Sequence, residues 1–456
     1  MSDSDLDLGP GLTRLRPDDH FMILSETDAS PMHVGALIFL DTGRAGRDGI
    51  ADALRAHIAS RLPATPLLAR LVQSPEGYDS DVWADVARCD PDYHIARISD
   101  PLDADQLRAM VARLATERLN LARPPFRAFV FDRLADGGAA FYLKMHHSVA
   151  DGIGFQHVLG QLSDQSPLPP QRTTDAVLPD AEHWRKASER RFDALAPRAL
   201  AHAEQRRQAL EALKQLPQGA RPETPTLRLS GPTSAERHYQ MASFDLDRFR
   251  QLGRAFGATI NDMFLAVAST AIRSLLLALD DLPESPIVAN SARSYRREEH
   301  GPYGNRIVAL NPHLATHIAD PIERLRAIRE SMAAEKARSP LDEALLDQPE
   351  RPFGARERRA KFAERTSGGA RLLPGNVTLS NVPGPAEPLS YGGFRQLANY
   401  PVPILGSGRF LNITARRNAD MLDMGMMADP LRLTNCEDMA HCFAEALNRY
   451  EELAGK

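Results

Sequence analysis

The chain has 456 residues, 43% hydrophobic and 25% charged, with 29 glycines and 34 prolines. These fractions exclude a disordered or collagen-like chain and suit two or three folded units at about 100–200 residues each. A net charge of −5 leaves no global basic field to draw a domain onto nucleic acid.

The opening, MSDSDLDLGPGLTRLRPDDHF, lacks the basic end and apolar core of a signal peptide, and no unbroken run of about 18 apolar residues follows. A soluble protein, at most peripheral to a membrane, is expected. From about residue 12 to 165, strand-like runs (Val34 to Leu40, Phe126 to Phe131, Ala139 to Met145) alternate with helical patterns at Ala51 to Leu62 and Asp103 to Leu119. The turn-forming cluster Leu134-Ala-Asp-Gly-Gly138 makes the last two strands a hairpin ending near Met145. Residues 1–165 are read as one unit.

Residues 166–235 read as a linker with a surface helix: SPLPPQ, a charged helical run from Ala181 to Gln215, then PQGARPETP. A solvated spacer and a basic amphipathic helix on a lipid surface both fit it. Residues 236–456 form a second mixed unit, with a helix over Asn261 to Leu279 and strands at Ile287 to Asn290, Arg306 to Leu310, Asn376 to Leu379 and Phe410 to Thr414. The fold class is α/β in the mixed α+β sense. Cys89, Cys436 and Cys442 have no CxxC spacing, so free thiols in a reducing compartment are expected.

The chemistry concentrates in MHHSVADGIG, residues 145–154, where the hairpin strand should end. Adjacent strand residues point to opposite faces, so one of His146 and His147 can face a cleft while the other supports it. Histidine suits a general base because its ordinary pKa lies near neutrality. Three readings stay open: His147 as base; His146, His147 and Asp151 as metal ligands; or ordinary polar residues at a strand end. Opposite strand faces and the lack of HExxH weigh against the metal. Asp151, followed by Gly152, could turn the loop back or anchor it by an ion pair. Thr259-Ile-Asn-Asp262 has the residue types that cap the following helix. Ser380 and Asn381 precede Val-Pro-Gly-Pro, read as a rigid turn in which Pro383 fixes φ and Gly384 permits positive φ. Neither GxSxG nor a paired Cys and His supplies an obvious covalent nucleophile.

The string HHSVADG fits HHxxxDG, and four more strings accompany it: Pro31-Met32-His33-Val34-Gly35, Asn261-Asp262, Gly304-Asn305 and Leu379-Ser-Asn-Val-Pro-Gly-Pro385. With these motifs the chain resembles the bacterial wax ester synthase/acyl-CoA:diacylglycerol acyltransferase family. That family lies within the CoA-dependent acyltransferases that include chloramphenicol acetyltransferase and condensation domains. The family's usual PLSNVPGP here begins with Thr378.

The resemblance implies two chloramphenicol-acetyltransferase-like domains with a tunnel between them. His147 would be the general base in mid-tunnel, and acylation would be direct, without an acyl-enzyme. His146, Asp151, Gly152, Asn261, Asp262 and Arg296 would support the site, with Asp151 pairing structurally to Arg296 or, as runner-up, Arg293. Ser380, Asn381, Pro383 and Gly384 would shape the tunnel or the domain geometry. Acyl-CoA is the implied co-substrate and a fatty alcohol or diacylglycerol the acceptor, with no bound cofactor, no metal and no nucleic acid. The implied location is cytoplasmic, with peripheral attachment to the inner membrane or lipid inclusions left open. The rival readings are an amide-forming condensation-type enzyme and a non-catalytic lipid-surface protein.

Overall fold

The computed structural model describes residues 8–43, 49–216, 223–346, 349–366 and 374–455. The N-terminal half runs β1 (Leu12–Arg14), α1 (Pro17–Ser25), β2 (His33–Asp41), α2 (Ile50–Arg61), β3 (Ala69–Val72), β4 (Val82–Asp85), α3 (Pro91–His94), β5 (Ile95–Ile98), α4 (Ala104–Thr116), β6 (Phe126–Phe131), β7 (Ala139–His146) and α5 (Gly152–Leu162). A long helix, α6 (Ala181–Lys214), leads to β8 (His238–Asp245), α7 (Leu246–Phe256), α8 (Ile260–Ala278), β9 (Ala289–Ser294), β10 (Ile307–Leu310), α9 (Pro321–Leu346) and α10 (Gly354–Thr366). The chain finishes with β11 (Val377–Val382), β12 (Ser390–Tyr391), β13 (Phe394–Val402), β14 (Leu411–Asn418), β15 (Met421–Ala428) and α11 (Met439–Ala454).

Two six-stranded sheets organise these elements, ordered β12-β13-β2-β7-β6-β5 and β10-β9-β11-β14-β15-β8. The hairpin β6–β7 forms as its turn cluster predicts, with Phe126 opposite Met145 and Phe131 opposite Ala140. Helix α4 starts where Asp103 and Gln106 exchange hydrogen bonds in a capping box. In the second sheet, β11 lies between β9 and β14, running parallel to both. Thr378 therefore occupies a central strand, where its N–H is available to the ladder as a proline's would not be.

The boundary expected near residue 236 is crossed by the chain. Strand β13 pairs antiparallel with β2, so a segment from the C-terminal half completes the N-terminal sheet. Its buried polar residues make the seam: Gln396 donates to Asn418 at 2.8 Å, and the Asn399 backbone N–H donates to Asp423 at 2.7 Å. Hydrogen bonding of this kind offsets the desolvation of polar groups buried between the sheets.

Helix α6 is a surface helix only in part. Trp184, Ala187, Ser188, Arg191, Phe192 and Leu195 are buried along its first half. The reason is Asp79, whose fully buried carboxylate accepts from Ser188 Oγ at 2.6 Å, Arg191 at 3.1 Å and Arg14 at 2.8 Å. The second half is more exposed, with Leu200 74% accessible. Helix α8 is long and apolar enough to cross a membrane by composition, yet it lies in the core with Met263 to Ser269 all buried.

Candidate active site

Strand β7 is buried along its whole length and places His146 opposite His33 of the PMHVG string on β2. The strand stops at His146, so His147 belongs to the following turn rather than to the opposite strand face. Its backbone N–H donates to the Met32 carbonyl at 2.8 Å, and the Val149 N–H closes the turn on the His146 carbonyl at 3.1 Å. The PMHVG string thus pins the backbone of the second motif histidine.

His146 is fully buried. Its Nδ1 accepts the Ser148 N–H at 3.1 Å, which leaves the ring proton on Nε2, 3.8 Å from Glu26 Oε1. Burial drives its pKa down to about 3, so the ring stays neutral. Glu26 also accepts the Met32 N–H at 3.2 Å and an Arg118 N–H at 2.8 Å. This group braces the loop before β2 against the turn after β7.

His147 keeps partial exposure, and its Nδ1 lies 2.9 Å from Asn305 Oδ1. Its Nε2 has no hydrogen-bond partner among the described residues. Burial lowers its pKa below the ordinary histidine value; the Asp151 charge and the Asn305 hydrogen bond act the other way. A neutral imidazole with an open nitrogen results, as proton abstraction requires. Asn305 is itself fully buried. In the sequence it is half of the Gly304-Asn305 string and nothing there marks it as a site residue; the signal for it is the glycine before it. Gly304 has φ +73°, and a β-carbon there would stand 3.2 Å from Asp19 Oδ2.

Asp151 caps helix α5, its Oδ1 accepting the Gly154 N–H at 3.0 Å. Its Oδ2 accepts an Arg296 N–H at 2.8 Å and the Arg306 backbone N–H at 2.9 Å. Arg296 also donates to the Gly301 and Tyr303 carbonyls, at 2.7 and 2.9 Å. Arg293, the alternative partner, binds Glu343 at 3.0 Å instead. The pair therefore fastens the start of α5 to the loop that carries Asn305.

Gly152 meets the SNVPGP string, for a β-carbon on it would lie 3.2 Å from both Val382 methyl carbons. Ser380 is two residues back on β11, on the face shared with Val382. Asn381 points to the other face and is exposed, and Pro383 begins the turn. Gly384 departs from expectation, because its φ is not in the left-handed region. It is needed because a β-carbon would lie 1.8 Å from the Arg417 carbonyl oxygen. Asn261 and Asp262 stand apart from His147 in bonding. Asp262 and Thr259 exchange hydrogen bonds at 3.0 and 3.1 Å as the capping box of α8. No group of three or more His, Cys, Asp or Glu side chains among the described residues could hold a metal ion.

Two family models cover most of the chain: the wax ester synthase/diacylglycerol acyltransferase catalytic domain matches residues 15–264, and the corresponding C-terminal domain matches residues 303–451. The chain belongs to the wax ester synthase/diacylglycerol acyltransferase family. It is accordingly an acyl-CoA-dependent O-acyltransferase. A Mycobacterium tuberculosis protein assigned as a diacylglycerol O-acyltransferase is 31% identical over 439 residues, spanning 91% of this chain and 94% of its own. The O-acyltransferase WSD of Acinetobacter baylyi is 26% identical over 97% of this chain and 98% of its own. The fold is shared with the wax ester synthase/diacylglycerol acyltransferase of Marinobacter aquaeolei VT8, at TM-score 0.69 and 23% identity over 97% of this chain and 100% of that one. It is shared also with the first condensation domain of the CDA synthetase, at TM-score 0.56 and 19% identity over 96% and 97% of the two chains. The mixed α/β, two-unit architecture is thus one that these solved structures share.

Proposed function

We propose that this acyltransferase esterifies a fatty alcohol, a diacylglycerol or both with a long-chain acyl group, using His147 as general base. The observation that carries the reading is the His147 Nδ1 contact with Asn305 Oδ1 at 2.9 Å, which leaves Nε2 unprotonated and open. Nε2 takes the proton of the acceptor hydroxyl, and the oxygen attacks the thioester carbonyl carbon. The tetrahedral intermediate collapses with cleavage of the C–S bond, and the proton on Nε2 passes to the departing sulfur. Ester and free CoA thiol are the products, and no enzyme group is acylated.

In this reading the acyl chain and the acceptor meet in a tunnel between the two sheet units, with Ser380 and Asn381 near its wall. Residues 1–165 and 236–456 would form the two lobes. His146, Asp151, Gly152 and Arg296 would hold the turn that presents His147, and Asn261 and Asp262 would serve through the cap of α8. A peripheral contact with a membrane or lipid inclusion would use the exposed second half of α6.

The test is CoA thiol release from palmitoyl-CoA with hexadecanol or a diacylglycerol, beside His147→Ala matched for folding by circular dichroism. Turnover by the native protein and its loss in the variant support the reading and name the acceptor. Silence with both acceptors, or turnover that survives in the variant, overturns it.

A further inference from the structure

We propose that Asn305 and Asp19 are positioning residues that lock the tautomer and ring orientation of His147; the proposal deepens the general-base reading and rests on it. The Asn305 amide bonds to one residue at two points. Its Oδ1 faces His147 Nδ1 at 2.9 Å, while its Nδ2 donates to the His147 backbone carbonyl at 2.7 Å. Nδ2 also donates to Asp19 Oδ1 at 2.9 Å.

Both neighbours of Nδ2 act as acceptors: the His147 carbonyl, and Asp19 Oδ1, which also takes the Asn305 backbone N–H. Turning the amide over would bring its oxygen against two other oxygens inside a fully buried site. The amide is thereby fixed with Oδ1 toward the imidazole. An oxygen there can only accept, so Nδ1 must carry the ring proton and Nε2 must be the lone-pair nitrogen. The tautomer needed for proton abstraction is thus dictated from a residue 158 positions away in sequence.

Asp19 supplies half of that constraint. It is 5% exposed, sits in the first turn of α1, and accepts the Asn305 backbone N–H at 2.7 Å as well as the side-chain amide. Gly304 gives the carboxylate room, as its missing β-carbon is what lets Asp19 Oδ2 approach. Arg16 donates to the Asn305 carbonyl, so the residue is gripped at its N–H, its carbonyl and its amide. Asp19 touches no reacting atom and acts through Asn305. The Asn305 amide engages both the His147 ring and the His147 carbonyl, so its removal loosens them together.

The experiment reads the tautomer directly, by nitrogen-15 NMR of the full chain with labelled histidine, the His147 signal being identified by its loss in His147→Ala. In the native protein the proton is expected on Nδ1. Asn305→Ala and Asp19→Ala are expected to yield a mixture of tautomers and a kcat reduced at least tenfold, with KM for acyl-CoA and acceptor within about threefold. Asp19→Asn retains an acceptor oxygen for Asn305 and is expected to keep the native tautomer and most of kcat. It also serves as the folded comparison should Asp19→Ala not fold.

An unchanged tautomer in Asn305→Ala, or a kcat loss in Asp19→Asn as deep as in Asp19→Ala, overturns the proposal, the latter because charge rather than amide orientation would then matter. The NMR signature needs no turnover, so it stands or falls separately from the choice of substrate and from the His147→Ala assay.

Discussion

Val382 packs against the open face of Gly152, bringing the SNVPGP strand onto the first residue of the helix that follows HHxxxDG. At 3.2 Å from both valine methyls, an alanine there requires only a small retreat of Val382. A valine brings two further methyl groups into the same space. Gly152→Val is expected to cost about 1–3 kcal/mol through overpacking and to lower kcat as the two units part. Chemical denaturation beside the thiol-release assay checks this, and Gly152→Ala should stay close to native.

The Asp151–Arg296 pair is expected to act on stability first. The two side chains are 1% and 8% exposed, so Arg296→Ala strands a buried carboxylate at a cost of about 3–5 kcal/mol. The urea midpoint should fall sharply, and the activity lost should track the unfolded fraction. Full stability with no activity would instead assign the pair a part in the chemistry.

Acid sensitivity follows from the buried histidines. Burial sets His146 at about 3, and His20 is held at about 4, chiefly by burial and then by the Arg358 charge, both below an ordinary value of 6.5. Below about pH 6.5 these side chains take protons in the unfolded chain that they refuse in the folded one, so their contribution to stability is complete above that pH and declines as pH falls. Glu26, held at about 2 against an ordinary 4.5, adds a further loss below pH 4.5. The part of the acid drop in melting temperature that His146 causes should be missing in His146→Asn, so the decline below about pH 6.5 is expected to be shallower in that variant than in the native chain.

The activity profile has its own acid limb. The His147 pKa lies below the ordinary histidine value, so the base remains deprotonated as pH falls through 6.5. The inflection in kcat/KM is expected on the acid side of 6.5. Short assays at pH values where circular dichroism shows a folded protein separate it from unfolding; an inflection above 7 contradicts it.

Asp79→Ala is expected to release the first half of α6. It leaves Arg14 and Arg191 without the carboxylate, and Ser188 without its 2.6 Å acceptor. The cost should again be about 3–5 kcal/mol. Limited proteolysis should then cut faster within residues 181–195, the part of α6 whose side chains are packed in the native chain.

Local patterns were legible wherever a single segment decided the outcome. The hairpin β6–β7 shows in its turn cluster and apolar strands, and the cap of α8 shows in Thr259 and Asp262. Strand β13 was not legible as part of the N-terminal sheet, because its buried positions include Gln396 and Asn399, whose partners lie on β14 and β15. A hydrophobic pattern cannot reveal polar residues that are buried by pairing with one another. The half-buried character of α6 depended likewise on Asp79, more than a hundred positions away. The two histidines and Asp151 were legible as a constellation. The amide of Asn305 was not, since its role exists only once α1, the β7 turn and the loop before β10 converge.

The strand exchange has a consequence for the nascent chain. Until residue 402 has left the ribosome, β2 (HVGALIFLD) presents one bare edge, because its neighbour on that side is β13. An apolar edge of nine residues is an invitation to pair with the wrong strand. Residues 1–235 expressed alone should therefore collect as aggregate, and recovery of the enzyme from two separately made halves should require that both be present while the first is still folding.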